Sequence, residues 1–161
     1  MALKIQGDLL VEAARDQMWT LLFDPETLKL IANRVPGVSV ERLVQTGEDH
    51  YEGTANIGVA MIKGKYDGTI TVLEKRAPEF VKFRGEGKSG ANWANGDMAL
   101  TLAEQDGKTL MHYEGTGNVG GMLASVGQRL IDTVGKQLLK NGTKALAEEL
   151  SARTRAPETP E

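Results

Sequence analysis

The sequence places few chemically active residues in arrangements that could perform a reaction. It has two histidines, His50 and His112, far apart and outside any H-E-x-x-H or H-x-E metal-binding motif. Cysteine is absent, which removes thiolate ligands and cysteine nucleophiles. Ser89 and Ser125 have no base beside them in the sequence. We therefore expect no catalytic residue and no metal site.

A glycine-rich segment, Gly85 to Gly90, has the G-x-G-x-x-G spacing of dinucleotide sites and ends in a Gly-Lys-Ser triplet. A phosphate loop would also need glycine at position 82, where Lys82 stands. Phosphate binding further requires a helix after the loop, whereas residues 93–102 have the pattern of a strand. The segment is therefore interpreted as a bend or bulge between two strands.

Composition excludes several other classes of function. The net charge of −3 and the pI near 5.5 provide no positive field for nucleic acid. No apolar run approaches the roughly 18 residues of a membrane span, and the N-terminus has no signal-peptide pattern. The chain of 161 residues suits one domain, which we expect over residues 1–150, followed by a polar, disordered tail at 151–161. We expect a cytoplasmic protein.

Periodicity predicts the order of the elements. Alternating apolar residues from Leu3 to Val11 predict a strand, and residues 13–23 and 25–31 predict two short helices. Six strand patterns follow, at about 38–45, 50–58, 62–74, 79–87, 93–103 and 108–117. An apolar stripe from Met122 to Leu150 predicts one long helix. This order predicts an α+β domain in which a curved antiparallel sheet wraps the final helix.

Four sequence motifs in the same order resemble the CoxG family of carbon monoxide dehydrogenase subunits, which belongs to the helix-grip (START-like, SRPBCC) superfamily. They are Val35-Pro36-Gly37-Val38, Gly58-Val59 with Lys63-Gly64, Gly85 to Gly90 with Gly96, and Val119 to Ile131. The resemblance covers about residues 3–150. It implies a helix-grip fold with about seven antiparallel strands around a long C-terminal helix and two short helices after the first strand.

The inward side of the expected sheet and helix is mostly apolar, which predicts a cavity for a hydrophobic ligand. The expected lining residues are Tyr66, Phe83, Trp93, Met98, Met111, Tyr113, Leu123, Val126, Leu130 and Val134. Many of the 19 glycines fall on the same inward-facing side of the predicted strands and helix, among them Gly64, Gly85 and Gly127. Missing side chains either let backbones approach or leave a void, and an apolar void suits an apolar ligand.

Two loops have apolar residues where turns are normally polar. They contain Val59, Met61 and Ile62 in one hairpin, and Met122 and Leu123 before the long helix. The resemblance places both loops at one mouth of the fold, flanked by lysines, so we expect them to contact a membrane surface. The alternative is that these loops fold onto the domain or onto a partner protein.

These observations favour a non-enzymatic carrier or accessory protein for a hydrophobic small molecule such as a lipid or quinone, with no other cofactor. The resemblance implies a link to a molybdenum hydroxylase of the carbon monoxide dehydrogenase type, through membrane recruitment or its electron acceptor. It also leaves open peripheral contact with the inner face of the membrane. Two alternatives stay open: a cyclase-like or hydrolase-like enzyme using Tyr66, Tyr113 or Glu114, and an interaction module without a cavity.

Overall fold

The computed structural model describes residues 2–58 and 63–155. Its helices are α1 (Arg15–Leu22), α2 (Pro25–Ala32) and α3 (Gln128–Arg155), with a 3-10 segment at Gly121–Val126. Its strands are β1 (Ala2–Val11), β2 (Val38–Gly47), β3 (His50–Ile57), β4 (Gly64–Arg76), β5 (Phe80–Ser89), β6 (Asn92–Gln105) and β7 (Lys108–Gly120). The predicted α+β order is therefore confirmed, with strand ends that differ by a few residues.

All seven strands form one antiparallel sheet in the order β1-β7-β6-β5-β4-β3-β2. Strands β2 to β6 each pair with the next strand in the sequence, while β1 pairs with β7. Asp106 and Gly107 turn the chain between β6 and β7 with φ angles of 53° and 79°, as a tight hairpin turn requires. Alternation along each strand gives the sheet an inner face, covered by the helices, and an outer face.

The core lies where α1, α2 and the C-terminal part of α3 cover the inner face. Val11, Met18, Leu102 and Leu150 are fully buried there. Helix α3 also packs along β1. A Cβ atom built on Gly135 would lie 2.6 Å from a side-chain methyl carbon of Leu3. This close approach places the first half of α3 beside the edge of the sheet.

The expectation of one helix from Met122 to Leu150 was wrong at both ends. The chain first forms the 3-10 segment and then breaks at Gly127, whose φ of 97° and ψ of 151° suit almost only glycine. The α-helix begins at Gln128 and continues to Arg155, so it includes the first five residues of the predicted tail. The remainder of that tail, 156–161, lies outside the described residues.

An ionic network joins α3 to α2 and the segment after it. Glu149 on α3 is 9% exposed and accepts hydrogen bonds from Arg34 at 2.9 and 3.2 Å and from Arg153 at 2.7 Å. Arg153 also donates to the hydroxyl of the buried Thr27 in α2, at 3.0 Å. The hydrogen bond from Arg153, reinforced by the one from Arg34, lowers the pKa of Glu149 against the opposing effect of burial.

We expect Glu149→Gln to reduce the free energy of unfolding at neutral pH by about 1–2 kcal/mol, because charge-assisted hydrogen bonds are lost while both arginines remain partly exposed. The folded-state pKa of Glu149 lies below that of an unfolded glutamate, about 4.3. This stabilisation is therefore complete above that value and is lost as the pH falls through the lowered pKa. Urea unfolding at pH 7 and at acidic pH measures both effects.

The exposed neighbour Glu148 provides the matched control. Glu148→Gln should leave the urea midpoint nearly unchanged at both pH values. A midpoint difference between wild type and Glu149→Gln that persists at strongly acidic pH would contradict the ionic origin of the effect.

Candidate functional site

A mainly apolar cavity of about 470 Å³ lies between the inner face of the sheet and the corner that joins α1 to α2. Its wall on the helix side is formed by Leu22, Phe23, Leu28 and Ala32. Along β4 it extends from Tyr66 to Val72, about 20 Å at the usual rise of a strand. The sheet side is formed by Val40, Arg42, Leu43, Tyr51, Gly53, Thr54, Ala55, Tyr66, Gly68, Thr69, Ile70, Val72, Val81, Phe83, Gly85, Glu86 and Leu100.

Strand alternation leaves two tyrosines as the polar side chains that face into this cavity from the sheet. Tyr51 is 4% exposed, and its hydroxyl donates to the carbonyl oxygen of Phe23 at 3.1 Å. Burial raises the pKa of Tyr51 and that of Tyr66, so both phenols stay protonated at neutral pH. Arg42 and Thr54 belong to the outer face, where they bond to Glu52 and Asp67.

The inward glycines separate into two classes. At Gly96 an added Cβ would lie 2.6 Å from the carbonyl oxygen of Thr116, so the missing side chain lets neighbouring strands approach. At Gly85 an added Cβ would meet no atom within 4 Å, and this residue lines the cavity. Gly85 and Gly96 are direct partners in the sheet. Close approach and open space therefore occur side by side.

Two of the ten residues expected to line a cavity, Tyr66 and Phe83, line the one described here. Met98 and Tyr113 are half-buried and pack against the main core, while Met111 is buried within it. Leu123 is 4% exposed, with its backbone N–H donating to the side-chain oxygen of Asn92 at 3.2 Å. These four residues are absent from the cavity wall.

Trp93 was expected on the inner face and lies on the outer one. Its side chain is 43% exposed, and its indole lies against Gly120 on the neighbouring strand. The even-numbered residues of β6, such as Met98 and Leu100, face inward, and the strand has no register shift between them and Trp93. Trp93 and Met98 differ in parity, so they cannot share a face.

Val126, Leu130 and Val134 were expected to face the cavity from a continuous helix. The break at Gly127 separates Val126 from α3, so the predicted stripe does not continue across it. All three are half-buried and lie outside the cavity wall, and the buried residue in this part of α3 is Ile131. The wall on the helix side instead comes from α1 and α2, so the expected position between the sheet and the C-terminal helix was wrong.

The helix-side wall and the contribution of β2 and β3 to the cavity were not predicted from the sequence. A signal was present in β3, where Tyr51 and Ala55 share the apolar parity of Ile57. In α2, Leu28 and Ala32 are spaced as residues on one side of a helix. What the pattern lacked was the relative position of the two short helices and the sheet.

The two loops expected at the mouth are only partly described. Val59, Met61 and Ile62 lie outside the described residues. Met122 is 72% exposed, whereas Leu123 points into the protein and forms no part of a rim. The start of β4 and the segment after β7 both lie beside the β5–β6 turn. A Cβ on Gly64 would lie 3.0 Å from the hydroxyl of Ser89, and the backbone N–H of Leu123 donates to the side chain of Asn92. Both loops therefore leave from the same end of the sheet.

Outside the cavity, His112 belongs to an exposed group of ionisable side chains. His112 on the outer face contacts Asp8 at 2.8 Å through Nδ1 and Glu114 at 3.2 Å through Nε2. The hydrogen bonds to Asp8 and then Glu114 raise the pKa of His112. Among residues 2–58 and 63–155, no group of histidine and carboxylate side chains could hold a metal ion. Within the same ranges, no helix is long and apolar enough to cross a membrane.

Comparison with protein families matches residues 7–151 to CoxG, a subunit of carbon monoxide dehydrogenase. The chain belongs to the CoxG family. Among solved structures, this CoxG-family chain is similar to a conserved protein from Geobacillus kaustophilus, at 28% identity and a TM-score of 0.81. That match covers 94% of this chain and 95% of the other. No curated protein matches the chain.

The CoxG-family chain is also similar to the ZhuI aromatase/cyclase of a Streptomyces species, at 14% identity and a TM-score of 0.72. The alignment covers 97% of this chain and 98% of that enzyme. At this identity the likeness shows the fold alone. Together with the seven-stranded sheet and the long C-terminal helix, it confirms the helix-grip fold expected from the sequence.

Proposed function

We propose that this CoxG-family chain is a non-enzymatic accessory protein that holds a hydrophobic small molecule, lipid-like or quinone-like, in the cavity beside the α1–α2 corner. The observation that carries this proposal is the cavity itself. Its 470 Å³ lie within the range of small-molecule sites, about 300–1,000 Å³. Its side chains are mostly aliphatic or aromatic, which favours an apolar ligand.

The cavity lining also supports a carrier more than an enzyme. Its inward-facing ionisable side chains are Tyr51 and Tyr66, whose pKa values burial raises away from neutrality. A general acid or base works best with a pKa near the working pH. Of the other residues considered for catalysis, Tyr113 packs against the core and Glu114 bonds to His112 on the outer face.

The family name supports the second part of the proposal, a role beside a molybdenum hydroxylase of the carbon monoxide dehydrogenase type. The ligand would then serve that enzyme as its electron acceptor, or the chain would recruit the enzyme to a membrane. The exposed Met122, at the end of the sheet where the hairpin after β3 also emerges, supports peripheral membrane contact at that end.

Mass spectrometry of organic extracts from the purified protein, together with titration by the fluorescent probe N-phenyl-1-naphthylamine, tests the binding function. We expect one class of co-purified apolar molecule and saturable probe binding that this extract displaces. Sedimentation with vesicles containing phosphatidylglycerol, against pure phosphatidylcholine vesicles, tests membrane contact. Protein that carries no apolar molecule and binds neither probe nor vesicles would overturn the proposal.

A further inference from the structure

Phe23 occupies a distinct position in the cavity wall. It follows the last residue of α1 as its C-cap, with φ −110° and ψ 7°, and so stands at the corner rather than within either helix. The other three residues of the helix-side wall are Leu22, Leu28 and Ala32, which are aliphatic. Phe23 therefore supplies the aromatic ring at the end of the cavity nearest the corner.

Contacts on several sides hold this ring. Trp19 packs against it with the ring centroids 4.9 Å apart and the planes at 60°. The Lys75 ammonium group lies 5.4 Å from the Phe23 centroid and is itself held by Asp49 at 3.2 Å. The buried Tyr51 hydroxyl fixes the backbone by donating to the Phe23 carbonyl oxygen. Tyr51 also lines the cavity, so one residue contacts both the ligand space and the corner.

The cavity is elongated along β4, and Phe23 lies at its Val72 end, because the ring contacts Lys75, three residues beyond Val72. The opposite end lies at Tyr66, toward the start of β4 and the hairpin between β3 and β4. A flexible apolar ligand that lies along β4 with one end at Tyr66 would extend toward the α1–α2 corner and stop at the ring. Each methylene buried before that point adds about 0.8 kcal/mol, or about fourfold in affinity, and each one beyond it adds nothing.

We infer that Phe23, positioned by the Tyr51 hydroxyl and by Lys75, limits the length of the apolar ligand that the cavity accepts. This inference rests on the proposed binding function and adds a specificity-determining residue to it. It defines the ligand class as molecules with an extended apolar chain, selected by chain length. The corner that positions Phe23 belongs to two helices of only eight residues each, which tertiary contacts must hold in place.

Dansyl amides of n-alkylamines of increasing chain length provide the test, with the Kd measured by dansyl fluorescence. For wild-type protein we expect the Kd to fall about fourfold per methylene and then to level off. The levelling length is the chain length at which the Kd stops falling. In Phe23→Ala it should be at least two methylenes greater, so that the longest probes bind about 16-fold more tightly than to wild type. Phe23→Leu should move it in the same direction by less, at a smaller cost in packing.

Phe80→Ala is the matched control, because Phe80 is also half-buried with a cation over its ring, Arg76 at 4.6 Å, but lies outside the cavity wall. It should leave the levelling length unchanged. Tyr51→Phe tests positioning, since it removes only the hydroxyl that holds the corner. Probes beyond the wild-type limit should gain about fourfold in affinity relative to short probes bound to the same variant, a change in ratio that general destabilisation would not produce.

An unchanged levelling length in Phe23→Ala and Phe23→Leu would overturn the length limit while leaving the binding function intact. A shift of the levelling length in Phe80→Ala as large as that in Phe23→Ala would also overturn the length limit. Failure of every probe to bind wild-type protein would instead overturn the proposed function and the length limit together.

Discussion

Gly85→Leu should weaken binding of N-phenyl-1-naphthylamine at least tenfold while leaving the melting temperature unchanged or higher. Gly85 lines the cavity, and a Cβ at this position would meet no atom within 4 Å, so a leucine side chain would project into the cavity from a Cβ that displaces no protein atom. Glycine weakens a strand interior through its conformational entropy, so its replacement removes a cost of about 0.5–1 kcal/mol. Fluorescence titration and thermal unfolding measure the two effects.

Gly87→Leu is the control for this prediction. Gly87 lies two residues further along β5 on the same face, and a Cβ there would have only an ordinary contact, 3.8 Å from the carbonyl oxygen of Asp67. It does not line the cavity. We expect Gly87→Leu to bind the probe as wild type does. Wild-type affinity in Gly85→Leu would mean that the probe binds elsewhere, and the cavity would lose its proposed role.

The fold could be predicted from the sequence to a large extent because its signals are local. The period of two in β1, the Pro25 start of α2 and the Asp106–Gly107 turn each identify an element without knowledge of its neighbours. Resemblance to the CoxG family then indicated how these elements pack into a helix-grip fold, and the family match and the similar structures confirm that fold. The break at Gly127 was missed because one glycine inside an apolar helical pattern is compatible with a continuing helix.

The site was predicted less well because it depends on distances between elements. Strand parity is reliable only when it is applied consistently, and placing Trp93 and Met98 on one face of β6 violated it. The helix-side wall depends on where α1 and α2 pack, which no local pattern specifies. Phe23 is an example, because its position in the wall depends on the hydrogen bond from Tyr51 and the contact with Lys75, which join residues distant in the sequence.

The glycines show most clearly that sequence patterns do not specify distances between elements. Parity correctly placed many of them on the inner face, yet the sequence could not say which ones face open space. Gly64 and Gly127, which we expected to leave a void, lie outside the cavity wall and have positive φ angles of 159° and 97°. A side chain at Gly127 would strain the backbone, so a substitution there would report on folding before it reported on ligand uptake.

Gly96→Ala should lower the free energy of unfolding by about 2–3 kcal/mol, although it adds only one carbon atom. That atom would lie 2.6 Å from the Thr116 carbonyl oxygen and 3.1 Å from the Gly117 Cα. Both belong to the backbone of β7 and cannot rotate away, so the strands must separate or distort. For a domain of this size, the expected fall in melting temperature is about 5–10 °C.

Gly85→Ala makes the decisive comparison, because Gly85 is the direct partner of Gly96 on the adjacent strand. The same chemical change at Gly85 meets no atom within 4 Å and should leave stability equal or raise it by about 0.5 kcal/mol. Urea unfolding of the two variants separates the causes, since loss of glycine from the sheet would act alike at both positions. Equal effects in the two variants would contradict the division into closely approached and open glycines. Opposite effects would show that one pair of partners in the sheet serves two purposes, with Gly96 letting β6 approach β7 and Gly85 leaving room in the cavity.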